Sequence, residues 1–116
     1  MDISIKRVYE SAAKADGYRV LVDHIWPRGV SKERAAIDLW AKAISPSTAL
    51  RQWFDHQPAR WPEFKRRYHA ELVANDEAQA VLSALRAHKG PVTLVFAARD
   101  AEHSNARYLQ EQLSSK

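Results

Sequence analysis

The sequence contains no cysteine among its 116 residues, which excludes disulfide bonds and thiolate chemistry and fits a reducing compartment. Its three glycines, Gly17, Gly29 and Gly90, lie too far apart to form a glycine-rich phosphate loop. The five histidines show no paired zinc spacing, so we expect no metal site. Nothing in the composition indicates a cofactor.

Long hydrophobic runs are also absent, because no apolar stretch approaches the about 18 residues that a membrane-spanning helix needs. The N-terminus MDISIKRVYE is charged and poor in apolar residues, unlike a secretory signal peptide. We therefore expect a cytoplasmic protein that does not contact membranes.

The charges that are present give a mild basic excess, with 18 Lys and Arg residues against 14 Asp and Glu and a net charge of +4. This excess favours an anionic ligand but is weak support for nucleic-acid binding. The length suits a single domain spanning residues 1–116, which can bury a core without disulfides or metal.

Two apolar segments predict β-strands after an extended N-terminal segment, and a third segment is ambiguous. Residues 18–25, YRVLVDHI, are rich in β-branched and aliphatic side chains and predict a strand that ends near Asp23. Residues 91–98, PVTLVFAA, are almost continuously apolar and predict a strand buried on both faces. Residues 35–44 fit either a short strand or one helical turn, and residues 11–17 fit a surface turn.

Four helices are predicted after residue 44, three of them before the last predicted strand. A short helix over 47–56 begins with Ser45 or Ser47 as the N-cap. An amphipathic helix covers about 60–74, and Asn75 caps the next helix, which the sequence HKGP ends. The predicted inward-facing side chains of the last three helices are Trp61, Phe64, Tyr68, Leu72, Val81, Leu82, Leu85, Ala106, Leu109 and Leu113.

This order of elements predicts an α/β fold, a single layered domain with a small, mostly parallel sheet covered by helices. In open sheets of this kind, ligands bind beyond the carboxyl ends of the strands. Two polar loops qualify, DHIWPRG at 23–29 and RDAEHSN at 99–105. If their strands are parallel, both loops lie at one edge of the sheet, and we expect a ligand site between them.

Basic residues near the first loop are candidates for binding an anion. Arg28, Lys32 and Arg51 could form a cationic cluster beside the turn at Gly29, because a guanidinium fork matches carboxylate or phosphate oxygens. In the alternative interpretation, Arg28 pairs with Asp23 or another buried carboxylate and only fixes the loop, and Lys32 is solvated.

Acid–base and stacking candidates lie in the same two loops. Asp23 could act as a general base, or it could simply form the turn at the strand end. His103 could shuttle a proton and Asn105 could bind a polar group, whereas Asp100 is a good helix cap. Of the four tryptophans, Trp26 is the candidate for stacking on a ligand, and the others fit a core better.

Four blocks of the sequence carry a resemblance to a known family. They are GYRVLVDHIWPRGVSK, WAKAISPSTALRQWF, FKRRYHAEL and TLVFAARDAEHSNA, within a match from Lys6 to Leu113. Together they resemble the YeaO-like proteins, a family of small bacterial domains of unknown function. The resemblance implies a compact α/β domain and brings no established reaction. The sequence departs from the family pattern at His24, where arginine is more usual, and at Asp100, where related chains vary.

The resemblance adds Lys42 and Ser47 to the substrate-binding candidates. It also includes Glu71, which we expect to form a structural ion pair with Arg51 or Lys42. The residues that match the family blocks are Asp23, Trp26, Pro27, Arg28, Gly29, Trp40, Lys42, Pro46, Ser47, Leu50, Arg51, Phe64, Tyr68, Glu71, Leu72, Ala98 and Asn105.

Two functions from different classes fit these residues. The first is a small enzyme or binding domain for an anionic or nucleotide-like small molecule, held by Arg28 and Arg51, with Asp23 and His103 as catalytic candidates. The second is a nucleic-acid-binding or regulatory protein that uses the basic, aromatic-rich segment 59–69, although nearby acidic residues dilute its charge. A protein-interaction module is a third class, and nothing in the sequence favours it.

Overall fold

The computed structural model describes residues 2–114, which contain one sheet of four strands. These are β1 (Ile3–Arg7), β2 (Tyr18–Leu21), β3 (Leu39–Trp40) and β4 (Val92–Phe96). All pairings are parallel, and the order across the sheet is β1-β4-β2-β3. The two strands that the sequence predicts most clearly, β2 and β4, are therefore direct neighbours that run in the same direction.

The central strand β4 separates two cores. Leu94 lies opposite Ile5 of β1 on one side and Val20 of β2 on the other. All five residues of β4 are buried, as expected for an apolar strand that is covered on both faces. Because side chains alternate along a strand, Val20 and Leu94 enter the larger core, whereas Leu21 and Val95 enter a smaller one.

Five helices of residues 2–114 cover the two faces of this sheet. They are α1 (Lys32–Ala35), α2 (Thr48–Phe54), α3 (Trp61–Val73), α4 (Asp76–Ala87) and α5 (Asn105–Ser114). Short 3₁₀ turns lie at Lys14–Asp16, Lys42–Ile44, Pro58–Arg60 and Ala101–His103. The larger core takes buried side chains from α2 to α5, and the smaller core takes Ala35 from α1.

Local sequence signals account for two of the helix starts. The Ser47 hydroxyl accepts the N–H of Leu50 at 3.1 Å, and the Asn75 side chain accepts the N–H of Ala78 at 3.1 Å. Each side chain satisfies a backbone donor that has no partner inside the first turn of its helix. Ser45 and Ser47 are the two predicted N-cap residues for this helix, and Ser47 is therefore the N-cap of α2.

The predicted α/β class and the mostly parallel sheet are confirmed. β2 ends at Leu21, before the predicted end near Asp23, although the N–H of Val22 still donates to Val95 at 3.0 Å. Residues 35–44 contain both structures that the sequence left open, because β3 is followed, after Ala41, by a 3₁₀ turn. The sequence reading missed α1, a single turn whose N-cap is Ser31.

Candidate functional site

A cleft of about 780 Å³ lies at the carboxyl edge of the sheet, beyond the ends of β2 and β4. Its walls are the loop after β2, the loop after β4 and the C-terminal end of α2. The volume is within the range of small-molecule sites. The two loops that the sequence places at one edge therefore line one hollow. Six of the eight predicted site residues line it, namely Asp23, Trp26, Arg28, Arg51, His103 and Asn105.

The corner formed by Trp26 and Pro27 turns the chain from β2 into the wall of the cleft. The carbonyl of Pro27 accepts the N–H of Val30 at 3.4 Å, and Gly29 takes a φ of 76°, a left-handed value that favours glycine. The indole N–H of Trp26 donates to the carbonyl of Val30 at 2.7 Å, and its ring packs edge-on against Trp40. Trp26 is half-buried, so it anchors the turn while part of it faces the cleft.

Asp23 joins the two loops that line the cleft. Its Oδ2 accepts the backbone N–H of Ala97 at 2.9 Å, and its Oδ1 accepts an amide N–H of Asn105 at 3.2 Å. Burial raises the pKa of Asp23 above its ordinary value, while these hydrogen bonds and the positive charge of Arg51 oppose the rise. A carboxyl group whose pKa is raised beside a cleft is a candidate functional group.

Asn105, the first residue of α5, fixes the helix to the end of β2. Its Nδ2 donates to the carbonyl of Val22 at 2.9 Å as well as to Asp23. The indole N–H of Trp40 donates to the carbonyl of Asp23 at 2.8 Å. These contacts hold the polar groups of the cleft in fixed positions relative to the sheet.

Arg51 lines the cleft from α2. Its Nη2 donates to the hydroxyl of Thr48 at 3.1 Å. Its Nε is buried and has no hydrogen-bond partner within residues 2–114. Buried donors in folded proteins are nearly always paired, so this Nε is an exception, as is the Nε of Arg107 outside the cleft.

Two further arginines, Arg28 and Arg99, lie in the walls of the cleft and are exposed. Neither guanidinium forms an ion pair within residues 2–114. The alternative interpretation, in which Arg28 pairs with Asp23 and only fixes the loop, is therefore wrong. Lys32 lies on α1 and does not line the cleft, so the predicted cluster loses one member and gains Arg99.

His103 and Asp100 form a hydrogen-bonded pair in the loop after β4. The His103 Nδ1 and the Asp100 Oδ2 are 2.7 Å apart, and Asp100 Oδ1 also accepts the N–H groups of Glu102 and His103. The side-chain hydrogen bond with His103 is the largest of the contacts that lower the pKa of Asp100. When Nδ1 carries the shared proton, Nε2 of His103 is free to accept one from a ligand.

Comparison with known proteins is decisive for the family. The chain matches, over residues 2–116, the family model described as the inactive DUF488-N3 subclade. The chain belongs to this subclade. It is also 40% identical over 115 residues to the uncharacterised protein YeaO of Escherichia coli K12, covering 99% of each chain. The resemblance to YeaO-like proteins is thereby confirmed.

Mycobacterial relatives show the same level of similarity. The chain is 40% identical over 116 residues to the uncharacterised protein Mb3100c of Mycobacterium bovis and to the uncharacterised protein Rv3073c of Mycobacterium tuberculosis H37Rv. Each alignment covers 98% of this chain and 95% of the relative. No solved structure matches the chain.

Lys42 and Ser47 do not lie in the main cleft but in a second hollow of about 400 Å³ beside it. The Lys42 ammonium lies 4.0 Å from the centre of the Trp40 ring. The Ser47 hydroxyl donates to Glu71 at 2.5 Å, and the Ser47 N–H donates to the same carboxylate at 2.9 Å. The predicted ion pair of Glu71 with Arg51 or Lys42 is wrong, because the Glu71 carboxylate accepts both hydrogen bonds from Ser47, the N-cap residue of α2.

The basic segment 59–69 is largely engaged in contacts within the protein. Glu63 accepts hydrogen bonds from Arg66 and Arg67, which lower its pKa to about 2. The Arg67 guanidinium also lies 4.1 Å from the centre of the Trp53 ring. These contacts leave the segment less available to an external polyanion than its sequence suggests.

Within residues 2–114, two kinds of feature are not found. No three side chains of the metal-binding types come together as a set of ligands. None of the helices there has both the length and the apolar character to cross a membrane. The expectation that the protein uses no metal stays a prediction.

The sequence reading missed part of the cleft. Gln52, Asp55 and His56 line it from the end of α2, and Tyr9 lines it from the segment after β1. Asp55 and His56 have φ values of 47° and 53°, a conformation that no sequence signal indicates here. Tyr9 reaches the cleft only because β1 lies beside β4, and a single sequence does not predict this pairing.

Proposed function

We propose that the protein binds a small anionic, nucleotide-like molecule in the cleft. The observation that carries the proposal is the set of cleft arginines, Arg28, Arg51 and Arg99. The first and last of these are exposed cations without an ion pair in residues 2–114, and Arg51 has a buried Nε without a hydrogen-bond partner there. A phosphate or carboxylate would pair with these guanidinium groups, because a guanidinium offers paired N–H groups in a fixed plane.

The rest of the cleft supports a ligand that also has an apolar or ring portion. Between the arginines the lining is mostly apolar, as in most small-molecule sites, where a few polar groups fix the orientation. The apolar residues of the lining are Ile25, Trp26, Pro27, Pro46, Phe54, Phe64, Ala97 and Ala98. A nucleotide combines the two properties that this lining favours, namely a flat ring and a compact anion.

Asp23 and His103 are proposed to recognise the polar edge of the ligand. Each carboxylate oxygen of Asp23 accepts one hydrogen bond from the protein and has capacity for another. His103 Nε2 offers an acceptor at the cleft wall, as described above. Both residues remain acid–base candidates, but the description of the subclade as inactive supports binding rather than turnover.

A thermal-shift titration with nucleoside monophosphates, inorganic phosphate and phosphorylated sugars tests the proposal. A ligand at about 100 times its Kd stabilises the folded state by about 2.7 kcal/mol, which raises Tm on the order of 10 °C for a chain of this size. We expect Arg28→Ala to fold normally and to lose this shift. Within residues 2–114 the Arg28 guanidinium forms no hydrogen bond or ion pair, and the Arg28 carbonyl that accepts from the Tyr9 hydroxyl at 3.3 Å is kept in the variant.

Arg86→Ala is the matched control. Arg86 is exposed in the last turn of α4, the helix that precedes the amino end of β4, whereas the cleft lies at the carboxyl end of that strand. It removes the same charge and should retain the full shift. The proposal fails if no anion in the panel changes Tm, or if Arg28→Ala responds like the unmodified protein.

The alternative function, nucleic-acid binding or regulation through segment 59–69, has less support because Glu63 and the tryptophan rings occupy its arginines. A cytoplasmic location is part of our proposal. The absence of cysteine is consistent with a reducing compartment, where nucleotides are abundant.

A further inference from the structure

An exposed tyrosine beside the cleft is surrounded by arginines. Tyr9 is 38% exposed and lines the cleft. Around it lie Arg7, Arg28, Arg34 and Arg99, which together with Tyr9 we call the Tyr9 strip. Arg28 and Arg99 belong to the cleft wall, whereas Arg34 lies outside it on α1. The strip therefore extends the basic surface beyond the space that a small ligand fills.

Contacts join Tyr9 to three of the four arginines of the strip, Arg7, Arg28 and Arg34. The Tyr9 hydroxyl donates to the carbonyl of Arg28 at 3.3 Å, and Arg34 Nη2 donates to the carbonyl of Tyr9 at 3.5 Å. The Arg7 guanidinium lies 5.2 Å from the centre of the Tyr9 ring. It also donates to the carbonyls of Ala98 and Ala97 at 2.9 and 3.1 Å, which fixes the loop that carries Arg99.

The charge of the strip is not neutralised within residues 2–114. None of its four arginines forms an ion pair there, whereas Arg19, Arg66, Arg67 and Arg107 all do. The neighbouring carboxylate of Glu10 accepts the backbone N–H of Arg7 at 3.1 Å rather than a guanidinium. The strip thus holds four arginines without an ion pair beside the cleft, although Arg51, Arg60 and Arg86 also lack one within residues 2–114.

We infer that the ligand of the cleft is one nucleotide of a single-stranded nucleic acid, and that the Tyr9 strip binds the adjoining phosphates and one neighbouring base. This inference rests on the proposed function. A nucleoside monophosphate has a single phosphate group, which the cleft arginines can bind, so it gives no reason for Arg34 outside the cleft. A strand supplies a phosphate at every residue and a flat base for the tyrosine, the combination by which single strands are bound without sequence reading. A base can enter a concave pocket only when it is unpaired.

The test compares one nucleoside monophosphate with its homo-oligomers of two to five residues, as DNA and as RNA, by fluorescence anisotropy at several salt concentrations. We expect affinity to rise on the order of tenfold when the second and third residues are added. The slope of log K against log salt should steepen by about 0.7 for each phosphate bound.

Arg34→Ala separates the strip from the cleft, since Arg34 does not line the cleft. This variant should bind the mononucleotide unchanged and lose about 0.7 of the salt slope for the oligomers. Arg86→Ala, which removes a charge at the other end of the sheet, should change neither measurement.

Three results would overturn the inference. They are oligomers that bind no tighter than the mononucleotide, a duplex of equal length that binds as well as the single strand, and equal effects of Arg34→Ala and Arg86→Ala. If the mononucleotide still binds in any of these cases, the proposed function survives without the inference. If neither mononucleotide nor oligomer binds, both fail.

Discussion

Two substitutions at Asp23 distinguish how much its hydrogen bonds stabilise the folded protein from how much the burial of its charge destabilises it. Asp23→Ala removes the acceptor of the Ala97 N–H and of one Asn105 N–H. Asp23→Asn keeps the shape and one acceptor oxygen but removes the charge. Because burial raises the pKa of Asp23, the folded state tolerates the neutral form better than the ionised form.

The expected loss of stability follows from the two N–H donors that lose their acceptor, those of Ala97 and Asn105. A buried donor without a partner costs about 1–3 kcal/mol, and water from the adjacent cleft reduces the cost for the Asn105 amide. Relief of the buried charge offsets part of the loss. We therefore expect Asp23→Ala to lower the free energy of unfolding by about 2 kcal/mol near pH 7, and Asp23→Asn to lower it by less than about 1 kcal/mol.

The pH dependence gives a second test, because the pKa of Asp23 is raised in the folded state above the ordinary value of 3.8. The folded protein then holds more protons than the unfolded chain between these two pKa values. The contribution of Asp23 to stability is therefore complete below pH 3.8 and decreases as the pH rises through the folded value. The penalty of Asp23→Ala should be larger at acidic pH than at neutral pH.

Urea denaturation followed by circular dichroism measures these differences. Asp55→Asn is the matched control, since Asp55 lines the same cleft, is exposed and makes no side-chain hydrogen bond within residues 2–114. Its stability should change by no more than about 0.5 kcal/mol. The reasoning is refuted if Asp23→Asn destabilises as much as Asp23→Ala, or if the alanine penalty grows as the pH rises.

Two further predictions concern the fold that positions the site. Leu94→Ala should lower the free energy of unfolding by about 2–5 kcal/mol in urea, because Leu94 is fully buried in the central strand; a loss no larger than that of the exposed Val73→Ala would contradict this account. Trp26→Phe should cost about 1 kcal/mol by losing the indole hydrogen bond to Val30, measured as a lower Tm; no change in Tm would mean that the corner does not depend on that bond.

The buried strand β4 and the last three helices are the parts of this fold that a single sequence predicts well. Val92 to Phe96 is apolar without interruption, and this pattern alone indicates a strand covered on both faces. The pattern of the last three helices is equally direct, since their apolar residues recur at helical spacing. Together they imply that ligands bind at the carboxyl edge, and the cleft lies there.

The composition of the cleft was only partly predictable. Arg28 lies in the loop after β2 and Asn105 follows the loop after β4, so the general rule for sheet edges finds them. Ser47 looks like a site residue from its family block, but its hydroxyl is already engaged by Glu71 and Leu50. Tyr9 enters the cleft because of a strand order that depends on long-range pairing, and no local signal carries that information.

The most direct test of the central claim is an ¹H–¹⁵N NMR titration with the nucleoside monophosphate that gives the largest thermal shift. We predict that the amides of residues 23–30 and 97–105 shift together along one saturation curve, because both loops line one ligand site. Shifts confined to the second hollow around Ser47, or to only one of the two loops, would contradict it.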